Sequence, residues 1–408
     1  MRVLFLNNFY YLRGGSERVL FDEMRMLQEA GHETAVFTRA YPKNQSVRYE
    51  RFFPDEIQRD KFGVSLKGIG TVREMIYSRQ ARQGLQYLLK EFKPDLVHAH
   101  NIYGGLSTSV LDALKEKNIP TVMTLHDLKL FCPSYLMLNH GRICERCKGN
   151  RFYQAVITKC HKNSYIASAV YASESYFSHL FRKYDMIKRF IAPSMFLRDK
   201  AIAYGWNGDK IEYLPNFIDT RLIPPSTLNR GYSLYLGRLS REKGARTLLS
   251  ALQDLRVKTN LIIAGDGPDR QAIQKIAIEK QLPVVFAGYL QGKELENILS
   301  GAKVIIMPSE WYENAPLSLL EAFAWGKPVI GSRIGGIPEM IDDGINGYLF
   351  KQADADDLRE KWTTFLNLPA EKADAMGRSA RQKVESAYTA EAHYEKLIKV
   401  YKKAMGQT

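Results

Sequence analysis

Short runs of β-branched and aliphatic residues alternate along the chain with longer stretches whose apolar positions recur at helical spacing. Runs at residues 3–6, 34–37, 96–98, 121–125, 190–192 and 211–214 predict one series of strands. Runs at 233–236, 261–264, 284–287, 304–307 and 328–331 predict a second. Each is short and apolar on both faces, as parallel strands covered by helices require. Between the strands, positions such as Val19, Met24, Leu27 and Ala30 line one side of a helix that Gly31 can stop. Repeated βα units of this kind predict an α/β protein with doubly wound sheets. The series restarts after Pro215-Asn216 and Pro224-Pro225, a stretch suited to a hinge. The expected organisation is therefore an N-terminal domain over 1–220, a C-terminal domain over 221–386, and a C-terminal helix over 387–408. In that tail Tyr394, Leu397, Ile398, Tyr401 and Met405 share one helical face, able to pack back on the N-terminal domain.

With 408 residues, 45% hydrophobic and 25% charged, the chain is not a disordered polymer, a collagen-like fibre or a small disulfide scaffold. Its apolar runs fall far below the ~20 residues of a membrane span. The opening Met1-Arg2-Val3-Leu4 reads as a strand rather than a secretory signal. The expected location is cytoplasmic, with peripheral contact at the inner face of the membrane. The net charge of +14 is uneven: residues 1–200 hold 31 basic and 19 acidic residues (+12), leaving 27 and 25 (+2) for 201–408. Such asymmetry fits an anionic partner for the N-terminal half, or solubility alone.

Four features fall at predicted strand ends, where doubly wound sheets place ligands. Arg13-Gly14-Gly15-Ser16-Glu17 follows the first strand; its glycines allow close approach of a ligand at a helix start. Gly237-Arg238-Leu239-Ser240-Arg241-Glu242-Lys243-Gly244 occupies the matching point of the second half. There Arg238 and Lys243, five residues apart, can clamp a diphosphate or form a solvated basic loop. Glu313 and Glu321 bracket a predicted helix start at Asn314-Ala315-Pro316-Leu317, whose free N–H groups can face ligand oxygens. His126 follows the predicted strand at 121–125.

Taken in order, these elements resemble retaining glycosyltransferases of family 4. Glu313 to Glu321, followed by Ala324-Trp325-Gly326-Lys327-Pro328, is similar to the family's central motif. Gly237-Arg238 with Lys243-Gly244, Gly265-Asp266-Gly267-Pro268, Gly335-Gly336-Ile337-Pro338-Glu339 and Pro215-Asn216-Phe217-Ile218-Asp219 stand around it. The resemblance implies a GT-B fold, with two Rossmann-like domains facing across a cleft, the C-terminal one holding a nucleotide-diphosphate sugar. It implies that Arg238 and Lys243 neutralise the diphosphate and that Glu321 holds the ribose. It places Glu313 near the reacting sugar carbon, with the N–H groups of Asn314, Ala315 and Leu317 on donor oxygens; Pro316 has none to give. Gly15, Gly267 and Tyr289 join the donor site, the last by analogy of position near the base, and His126 matches the family's histidine near the transferred sugar. The implied catalytic set is Glu313, His126, Arg238 and Lys243, without a catalytic metal. Asp354-Ala355-Asp356 spells a metal tripeptide but precedes a predicted helix, so capping is the expectation.

Cys132, Cys144, Cys147 and Cys160 lie within 29 positions, in an insertion at about 132–160. In a cytoplasmic chain a central Cys-x2-Cys points to a structural zinc; free thiols, an iron–sulfur cluster or disulfides stay open. Residues 59–93 interleave Arg59, Lys61, Lys67, Arg73, Arg79, Arg82, Lys90 and Lys93 with Leu66, Ile69, Met75, Ile76, Leu85, Leu88 and Leu89. That pattern suggests a patch for anionic lipid; no nucleic-acid module is recognisable. The expected function is sugar transfer from a UDP- or GDP-sugar to a glycan or lipid-linked acceptor in cell-surface polysaccharide or glycolipid assembly. The alternatives are a sugar-nucleotide epimerase of the same fold and a non-catalytic, zinc-stabilised binding protein.

Overall fold

The computed structural model describes residues 1–57, 66–226 and 228–407. Fourteen strands follow one another along these residues: β1 (Arg2–Leu6), β2 (Glu33–Phe37), β3 (Leu96–Ala99), β4 (Thr121–Thr124), β5 (Leu138–Asn139), β6 (Arg142–Ile143), β7 (Arg189–Ala192), β8 (Ile211–Tyr213), β9 (Tyr232–Leu236), β10 (Asn260–Ala264), β11 (Val284–Gly288), β12 (Val304–Met307), β13 (Val329–Ser332) and β14 (Gly347–Phe350). They form two six-stranded sheets and the small β5–β6 pair. One compact unit comprises Met1–His140, Cys144–Pro215 and the end of the chain from Tyr394; the other comprises Gly141–Ile143 and Asn216–His393.

In the first unit the strand order is β2-β1-β3-β4-β7-β8, and every described pairing is parallel. Val3, Leu4, Phe5 and Leu6 are fully buried, which is why this run is apolar on both faces. The helix Gly15–Glu29 turns Val19, Leu20, Met24 and Leu27 inward. The final helix, Ala390–Ala404, buries Leu397, Val400, Tyr401 and Ala404; Tyr401 seats its hydroxyl 2.8 Å from His98 Nδ1.

The second unit repeats the plan in the order β11-β10-β9-β12-β13-β14. One face of its sheet packs Leu234, Ile305 and Leu349 against Leu319, Leu320 and Phe323. The other packs Tyr235, Ile263, Ile306 and Phe350 against Trp362 and Phe365. β11 departs from the two-sided apolar expectation: it is the sheet's edge, and Val285 is 57% exposed. β14 and the β5–β6 pair lie outside the sequence-based strands.

The basic pattern at 59–93 resolves differently from its expectation as a lipid patch. Arg59 and Lys61 lie outside the described residues, as do the side chains of Leu66, Lys67 and Ile69. Met75, Leu85, Leu88 and Leu89 are buried core, so these four lie on the inner faces of two amphipathic helices, Leu66–Ile76 and Arg79–Phe92. Arg82 pairs with Glu116. Among the described residues no helix is long and apolar enough to cross a membrane.

Candidate active site

In the second sheet the order reverses between β9 and β12, so the loops leaving their carboxyl ends meet at a switch point, where open α/β sheets bind ligands. The β9 loop carries Arg238 and Lys243, and the β12 loop carries Glu313. Lys243 Nζ stands 2.6 Å from Glu313 Oε1, and Ser309 Oγ donates to the same oxygen at 2.7 Å. Lys243 also lies over the Trp311 ring, 5.1 Å from its centroid. Burial pushes the Glu313 carboxyl up. The Lys243 ammonium, with hydrogen bonds from Lys243 and Ser309, outweighs that and holds it below its ordinary value. Glu313, only 6% exposed, is therefore an ionised carboxylate in a sheltered position.

Glycines bring the surrounding backbone into contact. Gly335 has φ +60, and a Cβ there would lie 2.1 Å from the Glu313 carbonyl oxygen; the Gly336 N–H donates to that oxygen at 2.8 Å. Gly244, at φ +71, lets its loop abut the Pro308 carbonyl, where a Cβ would sit at 1.7 Å. Gly267 likewise lies against the Leu239 carbonyl, which joins the β9 and β10 loops.

The helix Leu317–Ala324 begins directly after Asn314-Ala315-Pro316, with Pro316 as its N-cap. The helix's first turn follows the same loop that carries Glu313, and in it the Leu319 N–H donates to the Pro316 carbonyl at 3.1 Å. Glu321 lies one turn into this helix and is half-buried. Asn216 Nδ2 holds the Ala315 carbonyl at 2.9 Å, fixing the loop's far end. Arg238 is exposed, and Tyr289, 66% exposed after β11, takes a hydrogen bond from Gln291. Lys243, Glu313, Gly267 and the 314–317 loop thus cluster around the switch point. A cavity of about 400 Å³ lies instead by Lys303, Lys327 and Arg381, before β12 and β13 begin. Asp354 accepts from the Asp356 and Asp357 N–H groups as an N-cap, which accounts for the acidic tripeptide.

In the first sheet the order reverses between β1 and β3. Gly15 opens the helix after β1. Asn7 and Asn8 bind this point together: Asn7 Oδ1 accepts from the Asn101 N–H at 3.0 Å, and Asn8 Oδ1 from the Leu106 N–H at 2.8 Å. His126 follows β4 and is half-buried, with Nε2 2.7 Å from His100 Nδ1. Behind His100, Nε2 lies 3.5 Å from Glu23 Oε2, itself 3.3 Å from His98 Nδ1. Desolvation and the neighbouring His100 push the His126 imidazole down to about 3, so it is neutral near pH 7. Burial lifts the adjacent Asp127 carboxyl to about 6 against the Lys129 N–H that it accepts. The sequence reading missed Glu23, His98, His100, Asn7, Asn8 and Ser309. The alternate positions His98 and His100, on one face of a strand end, were the available signal.

Two sets of side chains bear on metals. The donor atoms of Glu23, His98 and His100 all lie within 4.8 Å of one another. Both His98 nitrogens are engaged, by the hydroxyls of Tyr401 and Thr124 at 2.8 Å each, and all three residues are buried. His98 is thus held by two hydroxyls, while Glu23 Oε2 and His100 Nε2 face each other at 3.5 Å, longer than a normal hydrogen bond. The four cysteines are unbridged. Burial raises the Cys147 thiol to about 12 and Cys160 to about 11, and the charges of neighbouring cysteines add to both shifts. The four thiols therefore lie near enough to influence one another's charge, but among the described residues the donor group within 4.8 Å is Glu23, His98 and His100, and the cysteines do not meet that spacing.

Two parallel-sheet α/β units with clustered residues at the carboxyl ends of their strands define the GT-B fold, and comparison with known proteins agrees. The family model Glycosyltransferase Family 4 matches residues 13–222 and Glycosyl transferases group 1 matches 220–383. The chain belongs to glycosyltransferase family 4. It is 26% identical over 319 residues to sulfoquinovosyl transferase SQD2 of Arabidopsis thaliana, a match that covers 73% of this chain and 54% of that one. It is 24% identical over 283 residues to a GDP-mannose-dependent alpha-mannosyltransferase of Corynebacterium glutamicum, covering 65% and 58%. The chain spans about half to two thirds of the length of the curated relatives it matches first. Among solved structures, Anabaena Alr3699/HepE in complex with UDP and glucose superposes with a TM-score of 0.71 at 18% identity, covering 98% and 99%. Sucrose-phosphate synthase from Thermosynechococcus elongatus gives 0.72 at 18%, covering both chains in full.

Proposed function

We propose that the chain is a retaining glycosyltransferase that moves a sugar from a UDP- or GDP-sugar to a glycan or lipid-linked acceptor in cell-surface polysaccharide or glycolipid assembly. The observation that carries this reading is the Lys243–Glu313 pair beside the start of helix Leu317–Ala324. An ionised carboxylate held in a sheltered loop suits the positive charge that develops on a sugar carbon as its phosphate departs. Arg238 and Lys243 supply positive charge for the departing diphosphate, without a metal. The N–H groups of Asn314, Ala315 and Leu317 hold donor oxygens, Glu321 takes the ribose hydroxyls, and Gly267 and Tyr289 border the nucleotide. Gly15 and His126 are assigned to the diphosphate and the transferred sugar. Transfer is front-side: the bond from the sugar carbon to phosphate breaks, the bond to the acceptor oxygen forms on the same face, and the acceptor proton passes to the leaving phosphate. Names among the relatives and neighbours, a mannosyltransferase that uses GDP-mannose and a protein that binds UDP, support a nucleotide donor without choosing the base.

The four cysteines hold a structural zinc, and the enzyme works at the inner face of a membrane. Thermal shift against UDP, GDP, ADP and their sugars tests the donor reading. A selective gain with one diphosphate, weakened in Arg238→Ala, is expected; no gain from folded protein rejects it. Turnover of the donor to an epimer without any acceptor would favour epimerisation instead.

A further inference from the structure

A 37-residue segment of the first unit, 146–182, has six basic residues (Arg146, Lys148, Arg151, Lys159, Lys162, Arg182) and one acid, Glu174. Glu174 is buried, with Oε2 2.9 Å from Lys129 Nζ and Oε1 accepting the Gly104 N–H at 2.7 Å, so the exposed surface of this segment carries no carboxylate. The same segment exposes large apolar side chains. Ile157 is 63% exposed, Leu180 77% and Phe181 58%, joined by Tyr153, Tyr165, Ile166 and Tyr176. Seven of the nineteen exposed large hydrophobics among the described residues fall between positions 153 and 181.

The secondary structure makes them one surface. The helix Tyr165–Leu180, capped by Ser164, buries Ala167, Ser168, Val170, Ala172, Glu174, Ser175 and Ser178. Its opposite stripe, at helical spacing, reads Ile166, Ala169, Ser173, Tyr176, Leu180, without a charge. The preceding helix, Tyr153–Ile157, lies alongside: the Tyr153 N–H donates to the Tyr176 hydroxyl at 3.1 Å, and Phe152 packs on the Tyr176 ring. Tyr153 and Ile157, four residues apart, share a face of that short helix. Lys159 covers the Tyr165 ring at one end, and at the other the exposed Arg182, paired with Asp185 at 2.6 Å, follows Phe181.

We infer that the face built from Tyr153, Ile157, Ile166, Tyr176, Leu180 and Phe181 docks on an anionic membrane surface. An uncharged helical stripe with a net positive rim matches a layer of apolar chains beneath negative headgroups. Tyrosines within the stripe suit the boundary between the two. Arg182 is paired with Asp185 at 2.6 Å, so the uncompensated charge of the segment is that of Arg146, Lys148, Arg151, Lys159 and Lys162, and five cations without an acid among them favour negative headgroups as the occupant. This site is separate from the 59–93 pattern, of which Met75, Leu85, Leu88 and Leu89 are core. It extends the proposed action at a membrane by naming the contact surface, and its test needs neither donor nor acceptor.

The test is flotation of the full-length protein with phosphatidylglycerol–phosphatidylcholine vesicles and with phosphatidylcholine alone. Binding to the anionic vesicles only, reduced at least tenfold in Ile166→Ser/Leu180→Ser/Phe181→Ser and sensitive to salt, is expected. Arg151→Gln/Lys159→Gln/Lys162→Gln should remove most of the preference for anionic lipid. Thermal melting and nucleotide shifts of each variant should match the parent, which separates failure here from failure of the donor reading. Binding that ignores lipid charge, unchanged flotation of the triple-serine variant, or absence of flotation overturns the inference. So does a dimer in light scattering that the serine substitutions dissociate, since a second copy would then be the occupant.

Discussion

His126 Nε2 lies 2.7 Å from His100 Nδ1, and the two rings stack with centroids 5.0 Å apart. One nitrogen of this pair must donate and the other accept, so the tautomer of His100 sets that of His126. Glu23 behind His100 favours a proton on His100 Nε2, leaving Nδ1 to accept from His126. His126 would then carry its proton on Nε2 and keep Nδ1 as an acceptor. The folded pKa of His126, about 3, is below its ordinary 6.5. Its contribution to stability is therefore fully present above about 6.5 and is lost as pH falls toward 3. Nitrogen-15 spectra should show a neutral His126 ring throughout the neutral range. Glu23→Gln should redistribute its tautomers without protonating it. A wild-type titration midpoint near 6.5 would contradict this account.

Gly335→Ala tests whether backbone contact positions Glu313. Its added Cβ would meet the Glu313 carbonyl at 2.1 Å in a left-handed conformation, φ +60, that alanine adopts at a cost. A loss of about 1–3 kcal/mol is expected from strain, before the overlap is relieved. Since relief must push the Glu313 loop aside, nucleotide-induced thermal shifts should fall by more than the stability loss alone explains. Unaltered nucleotide shifts would mean that the loop adjusts without consequence for the site.

How much of this was legible in the sequence depends on whether the signal was local. Parallel strands buried on both faces declare themselves as apolar runs, so β1 and β12 were readable. The two-residue strands β5 and β6 have no such run. Gly347-Tyr348-Leu349-Phe350, although buried at three positions, opens on a glycine and follows a polar turn. Lys243 and Glu313, 70 positions apart, could be suspected only because each follows a strand end. The link from Glu23 to His100 passes between a helix and a strand, and nothing near either residue announces it. The apolar residues at 75–89 misled because core-facing and lipid-facing helical stripes have the same period, and only burial separates them.

Removing Lys243 should reverse the pH response associated with Glu313. In the wild type the carboxyl's pKa is held below 4.5 despite burial, so its contribution is present above that value and is lost as pH falls through the folded pKa. In Lys243→Met burial acts with less opposition, the folded pKa rises, and stability instead declines as pH rises. Leaving a sheltered carboxylate without its cation should cost about 3–5 kcal/mol near neutral pH. Adding Glu313→Gln should recover much of that stability but no donor turnover. Denaturation curves at several pH values check the sign; a single mutant whose stability follows the wild-type pH profile would rule out the coupling.

The four cysteines make the last expectation quantitative. Without a metal, Cys147 and Cys160, at about 12 and 11, would be protonated thiols near neutral pH and slow to alkylate. Each thiolate raises the pKa of the next, and a divalent cation at their centre would invert that repulsion and deprotonate all four. Elemental analysis of protein purified without chelator should give about one zinc per chain, and Cys147→Ser should lower it. Chelation should release the metal and lower the melting temperature of the first unit, while nucleotide shifts from the second persist. Metal-free protein with the same melting temperature, and thiols that alkylate no faster after chelator, would leave the cysteines as packed side chains and nothing more.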